Sequence, residues 1–351
     1  MKTEEKESLK ARWDALVKQR PKLRIRDAAR ELGVGEAQLL ATNCGDRVTR
    51  LEGEWTQLIK EFPRLGRVMC LTRNEHAVHE RYGEFRQIDF FNGMGQVVGP
   101  DIDLRLFMRG WRFGFAATDF TSDGERQSFQ FFDAAGEAIH KVYLQKSGNL
   151  GAYGELLHRF RSPNQFPWQS VEKRAEGAAG LPDAEIDVRA FQQAWRELKD
   201  THAFFNILQK FRVAREQALR LAPEGYARRV ETASTRGMLE SAAAESIPIM
   251  VFIGNRGCLQ IHTGPVHNIR MFGTEWLNVL DDGFNMHLRD TAVASAWVVR
   301  KPTTDGDVTS LELFDSAGNT LAIFFGKQKP GSPETEAWRK SSRTCKAGRS
   351  T

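Results

Sequence analysis

The segment Trp195-Arg196-Glu197-Leu198-Lys199-Asp200-Thr201-His202-Ala203-Phe204-Phe205 sets one histidine into an apolar pattern. Trp195, Leu198, His202 and Phe205 recur at i, i+3, i+7 and i+10, which predicts a single face of a single helix, with Asp187 as its cap. Imidazole on such a face needs a partner. It is either a satisfied core or cap-region histidine, or an axial ligand whose neutral nitrogen meets a metal, with Phe204 and Phe205 beside a flat apolar cofactor. Arg215 falls early in the next helical stretch, where it can reach a carboxylate near that histidine. Arg300 and Lys301, at the end of the strand carrying Trp297, are either solvating charges or further carboxylate partners.

Arg105 alternates with Leu104 and Leu106, so it is a solvated arginine on a strand's polar face or a guanidinium aimed at a bound anion. His76 and His79 follow a strand three residues apart, a spacing that points them to opposite faces when extended. They read as exposed hairpin histidines, with His79 as a possible secondary metal ligand. His262 and His267 flank Thr263-Gly264-Pro265-Val266 and read as parts of a tight hairpin.

Several chemistries are excluded. The chain has no Walker loop, no G-x-G-x-x-G, no G-x-S-x-G and no H-E-x-x-H. Its four cysteines, Cys44, Cys70, Cys258 and Cys345, are scattered without C-x-x-C, so neither a zinc knuckle nor a disulfide framework is indicated. No run of 18 apolar residues occurs, and the charged start leads into an amphipathic helix, so the expected location is cytoplasmic, without membrane insertion. A net charge of +5 suits an anionic ligand or a nucleic-acid face.

The elements that position these residues come as a repeat. Helical patterns fill residues 7–20, 26–32, 36–42 and 52–62; the period then changes to short alternating runs from Val68 to Leu144, and a helix follows at 150–161. After a Pro- and Gly-rich connection the pattern recurs. Trp13-Asp14-Ala15-Leu16 is echoed by Trp195-Arg196-Glu197-Leu198, Glu31 to Leu40 by Lys210 to Leu219, Val68 to Asn74 by Ile249 to Asn255, and Phe132-Asp133-Ala134-Ala135-Gly136 by Phe314-Asp315-Ser316-Ala317-Gly318, at offsets of 179 to 182 residues. The expected fold is α+β, a tandem repeat in which each copy is a helical segment followed by a large antiparallel β-sheet. The copies are expected at 1–165 and 185–330, with a linker at 166–184 and a disordered tail at 331–351. His202 and Arg215 belong to the second copy alone, Gly35 standing opposite Arg215 in the first.

Asp27 to Leu40 has helix-turn-helix spacing around Gly33. Its second helix presents Glu36 and Gln38 and almost no basic residues, so it reads as an αα-hairpin for packing, and nucleic acid is not the expected partner.

The tandem repeat, the Thr201-His202-Ala203-Phe204-Phe205 segment, the Val213 to Arg220 helix, the Ile261-His262-Thr263-Gly264-Pro265 turn and the Phe325-Gly326-Lys327 ending together resemble the haem-utilisation family of hemin-degrading factors and haem-transport proteins of Gram-negative bacteria. The resemblance covers roughly residues 5–330. It implies one haem b held between two halves, as ligand or substrate, with His202 as proximal iron ligand, Arg105 as distal arginine, Arg215 near the propionates and Arg300 or Lys301 at a basic position there. Ala322 and Phe324 stand where relatives often have glutamine and tyrosine. The implied partners are a haem ABC importer and a haem oxygenase. The implied function is to receive imported haem and either degrade it, as a monooxygenase giving a biliverdin-type product and releasing iron, or pass it on as a carrier. A DNA-binding or regulatory protein using the Gly33 hairpin is the reading from another class.

Overall fold

The computed structural model describes residues 2–121, 124–173, 180–328 and 331–348. In chain order the first repeat forms α1 (Lys2–Gln19), α2 (Ile25–Leu32), α3 (Glu36–Ala41), β1 (Val48–Leu51), α4 (Trp55–Lys60), β2 (Val68–Arg73), β3 (Ala77–Gly83), β4 (Ile88–Phe91), β5 (Met94–Val97), β6 (Asp103–Phe107), β7 (Phe113–Thr121), β8 (Gly124–Phe132), β9 (Ala138–Leu144) and α5 (Leu150–Phe160). The second forms α6 (Val188–Arg196), α7 (Ala203–Phe211), α8 (Arg215–Arg220), β10 (Ala227–Val230), α9 (Ser234–Ala244), β11 (Ile249–Gly254), β12 (Cys258–Gly264), β13 (Ile269–Phe272), β14 (Trp276–Asp281), β15 (Phe284–Arg289), β16 (Ser295–Thr303), β17 (Gly306–Phe314), β18 (Thr320–Gly326) and α10 (Glu336–Thr344).

Strand pairing repeats position for position. β1-β7-β8-β9-β2 are antiparallel neighbours in that order, as are β10-β16-β17-β18-β11. The meander β4-β5-β6 is matched by β13-β14-β15. Even the irregularities coincide. A register shift follows Phe131 in one copy and Leu313 in the other, each leading into a turn in which an aspartate oxygen accepts two backbone N–H groups: Asp133 from Ala135 and Glu137, Asp315 from Ala317 and Asn319. Gly136 and Gly318 close these turns at φ 80° and 75°, a conformation that disfavours any side chain. The α+β tandem architecture is therefore the observed one.

The compact units are not the contiguous stretches expected. One is Met1–Arg73, Glu80–Glu176 and Asn255–Gln260; the other is Asn74–His79, Gly177–Gly254 and Ile261–Thr351. Each exchanged segment is tied down by an asparagine. Asn74 donates to the Leu321 carbonyl (2.8 Å) and accepts from the Ala77 N–H (2.9 Å); Asn255 donates to the Ile139 carbonyl (2.8 Å) and accepts from the Cys258 N–H (3.0 Å). Such bonds satisfy backbone groups that the turn would otherwise leave unmade.

Two further expectations are corrected. The polar end is not a disordered tail through its described part: α10 buries Trp338, whose indole donates to the Thr309 carbonyl at 2.9 Å, and Ala347 bridges to Val230. The connection at 166–184 is not free over its first residues, since Arg50 donates to the carbonyls of Phe166 (3.0 Å) and Trp168 (2.6 Å), and Trp168 packs against the Leu9 cluster. Residues 174–179 of that connection lie outside the described residues.

The α2–α3 hairpin turns at Gly33, φ 69°. Five of the six residues of α3 are buried, so it has no face to lay in a DNA groove. The packing reading of this hairpin holds.

Candidate functional site

The helix predicted through His202 is two helices. Asp187 caps α6, accepting from the Ala190 N–H at 3.0 Å, and α6 ends at Arg196. Asp200 then captures the His202 backbone N–H on its side chain (2.9 Å), a local bond that competes with helix continuation, and α7 restarts at Ala203. The break rotates the pattern: Trp195, Leu198 and Phe204 are buried, whereas the His202 side chain is 88% exposed and Phe205 59%. His202 is therefore not on a buried stripe, and of the two adjacent phenylalanines Phe204 belongs to the core.

His202 lies on the rim of a cavity of about 450 Å³ within the second unit, a volume in the range of small-molecule sites. Its floor is apolar. Met250 and Phe252 of β11 face Phe325 and Ile323 of β18, with Phe252 edge-on to Phe325 at 5.1 Å between ring centres. The rim is polar, formed by Lys199, Asp200, Thr201 and the β16–β17 hairpin with Thr303 and Asp305. Alternation on β18 places Ala322 and Phe324 on the other face, in the core with Leu311 and Trp338, so these two do not shape the cavity.

The His202 ring Nδ1 lies 2.8 Å from Asp200 Oδ1. The bonds from the His202 backbone N–H and, against a small burial effect, from its ring hold the Asp200 carboxyl below the usual carboxylate range.

Arg215, Lys301 and Phe204 meet around a residue that carries no signal as a site in the sequence, Glu312. Its fully buried carboxylate accepts from Arg215 Nε (2.7 Å) and Nη2 (3.0 Å), from Lys301 Nζ (2.7 Å) and from the Ser310 hydroxyl (3.0 Å). Burial pushes the Glu312 carboxyl up, but Arg215 and Lys301 outweigh it and hold it far below the carboxylate range. For Lys301 burial wins over Glu312, and its pKa is lowered. Phe204 lies under both cations, 4.9 Å from Lys301 and 5.8 Å from Arg215, and Lys301 is 5.9 Å from the Phe325 ring of the cavity floor. Arg215 and Lys301 are thus not free cations: they carry one net positive charge behind the floor. Arg215 does reach a carboxylate, that of Glu312, which stands in Leu311-Glu312-Leu313 as a charge between apolar neighbours.

Arg300 points away from Lys301 by strand alternation; it stacks on Tyr226 at 4.5 Å and reaches the rim only through Asp307, at 3.3 Å. Arg105, on β6 of the other unit, is paired with Asp103 and donates to the Leu104 carbonyl at 3.1 Å. His79 is corrected: it is fully buried, its ring 4.9 Å from Phe284, rather than exposed on a hairpin. Among the described residues no group of three or more His, Cys, Asp and Glu is placed to hold a metal ion. His262 is likewise buried, stacked on Phe284 at 3.9 Å.

An exposed imidazole at the mouth of a cavity whose apolar floor is backed by cations directs attention to ligands that are flat, apolar and acidic at one edge. The sequence pattern of the haemin-degrading HemS.ChuX domain family matches the chain twice, at residues 33–160 and 212–344. The chain belongs to this family. Both matches fall on the repeats described above. The chain is 37% identical over 315 residues to the hemin transport protein HmuS of Yersinia pestis, covering 90% of each. Among solved structures it is similar to the haem-binding protein PhuS of Pseudomonas aeruginosa in its holo form (44% identity, 97% and 99% of the two chains, TM-score 0.94) and to the haem-degrading enzyme ChuS of Escherichia coli O157:H7 (35%, 97% and 99%, TM-score 0.88). Among the described residues no helix is long and apolar enough to cross a membrane.

Proposed function

We propose that this chain binds haem as cargo and substrate in a cytoplasmic haem-uptake system, receiving it from a haem ABC importer, and that His202 is the iron ligand. The single observation that carries the reading is the presentation of His202: an imidazole at a cavity mouth, its Nδ1 occupied by Asp200, beside an apolar floor and the exposed Phe205. The residues fit the ligand. The apolar floor suits the macrocycle, and the net positive charge of the Arg215–Glu312–Lys301 cluster suits its carboxylates better than the acidic rim of Asp305 and Asp307 does. Arg105 is the candidate distal donor, a role supported by the family resemblance.

Bound haem supplies an iron centre able to activate oxygen, and the family kinship with a haem-degrading enzyme supports ring opening as the reaction. The kinship with a hemin transport protein supports delivery to a haem oxygenase as the second reading. The protein's own contribution is to orient the iron through His202, to exclude water with Met250, Phe252 and Phe325, and to offset the charge of the carboxylates with the Arg215–Glu312–Lys301 cluster.

The test is a visible absorption titration with ferric haem, run beside His202→Ala. A saturable one-to-one Soret band that shifts or weakens in the variant is expected; identical spectra reject His202 as ligand. Adding ascorbate and oxygen then separates the activities: a biliverdin-type pigment that forms in the presence of catalase marks degradation, whereas no pigment with fast transfer to an apo haem oxygenase marks carriage.

A further inference from the structure

We propose that Asp200 is a positioning residue that fixes the tautomer and ring orientation of His202, and so sets how strongly this chain holds ferric iron. The proposal rests on the haem reading above and adds the residue that tunes it.

Three observations carry it. First, one carboxylate oxygen, Asp200 Oδ1, accepts from both the His202 backbone N–H (2.9 Å) and the ring Nδ1 (2.8 Å). A carboxylate only accepts, so the ring proton sits on Nδ1 and the lone pair on Nε2. Second, the backbone bond alone suffices to close the turn before α7; the ring bond is additional, and it constrains a side chain otherwise open to water. An exposed imidazole without such a bond rotates freely and shares its proton between two nitrogens. Third, the loop that carries the carboxylate is held. Leu198 is buried, the Thr304 N–H donates to the Lys199 carbonyl (3.1 Å), and the Ala203 N–H donates to the Asp200 carbonyl (3.2 Å), which fixes the loop on both sides of the acid.

The chemistry follows. A carboxylate accepting from the far nitrogen of a metal-bound imidazole draws the ring toward imidazolate character and makes Nε2 a stronger donor, which favours the higher charge of ferric iron over ferrous. Such partners typically change metal affinity by 10- to 100-fold.

Asp200→Asn tests this, because the amide oxygen keeps the turn and the size while removing the charge. Ferric haem affinity is expected to fall by roughly tenfold or more. If ferrous affinity is unchanged, the midpoint potential rises by about 59 mV per tenfold loss. The iron–histidine stretch of the ferrous complex is expected to move to lower frequency, with the unfolding midpoint of the apo protein unchanged. An Asn variant with wild-type affinity, potential and stretching frequency overturns the proposal. His202→Ala, measured alongside, keeps the two ideas separate: if it binds haem as the wild type does, the ligand assignment fails, and if it loses the wild-type spectrum while Asp200→Asn changes nothing, only the role of Asp200 fails.

Discussion

Both repeats bury a carboxylate between two cations, and they do so with opposite polarity. In the first unit the acid is on the helix: Glu36 of α3 pairs with Arg73 of β2 and Lys141 of β9. In the second the base is on the helix, with Arg215 of α8 meeting Glu312 of β17 beside Lys301 of β16. Glu36 and Arg215 occupy the same place, because Gln38 and Gln217 each accept from the backbone N–H of the residue that starts the helix, Gly35 at 2.9 Å and Ala214 at 3.0 Å. The position opposite Arg215 is therefore Glu36, not Gly35. What the difference teaches is how one scaffold site changes use. The first cluster is nearly sealed, with Lys141 buried and the Arg73 side chain 10% exposed, whereas Arg215 is 27% exposed and its cluster backs a cavity floor.

The largest effect is expected from removing each acid. Glu36→Ala strands the buried Lys141 and the largely covered Arg73 and should cost about 3–5 kcal/mol; Glu312→Ala should cost less, because Arg215 can turn to water. Denaturant unfolding of the two variants checks this, and equal losses break the comparison. Next, Arg215→Gln should weaken haem binding by roughly ten- to a hundredfold, the worth of about 1.5–3 kcal/mol for a hydrogen bond to a charged group, while Arg73→Gln leaves haem titration unchanged. An equal loss in both assigns the effect to general destabilisation.

The pH dependence sharpens the contrast. Against the upward push of burial, Lys141 and Arg73 hold Glu36 down to about 2 from an ordinary 4.5. Its stabilisation is complete above pH 4.5 and is lost as pH falls toward 2, so Glu36→Gln should flatten the acid limb of the stability curve. At alkaline pH the lysines diverge. Burial lowers Lys141, but Glu36 raises it further, so that contribution is lost as pH rises past the ordinary value of 10.5; Lys301 is lowered by burial, so the second unit gains stability as pH approaches 10.5. Lys141→Met and Lys301→Met should shift the alkaline limb in opposite directions. The smallest effect is that of Phe205→Ala, which should change stability by no more than about 0.5 kcal/mol, yet weaken haem binding in the same titration.

The repeat and its order of helices and sheet were legible because long registers and periodicities survive in the residues themselves. The break before His202 was not: Asp200 and Thr201 suit a helix face by spacing, and only the side-chain bond from Asp200 to the backbone shows that they end one helix and start another. Glu312 escaped notice because a buried charge on a strand looks like any polar interruption until its partners from α8 and β16 are seen. The short strands β1 and β5 and the helix α10 were hidden for related reasons. Four residues such as Val48-Thr49-Arg50-Leu51 carry little pattern, and α10 is polar apart from the one tryptophan that anchors it.

The exchange of residues 74–79 and 255–260 has a consequence for how the protein is made. Equivalent segments traded between two copies of one unit are what a domain-swapped homodimer becomes when its chains are joined end to end. On the ribosome, the first unit has nearly all its sequence by residue 176 but lacks the piece ending at Gln260, and at roughly 5–20 residues per second it stays incomplete for some ten seconds while the second unit is still being synthesised.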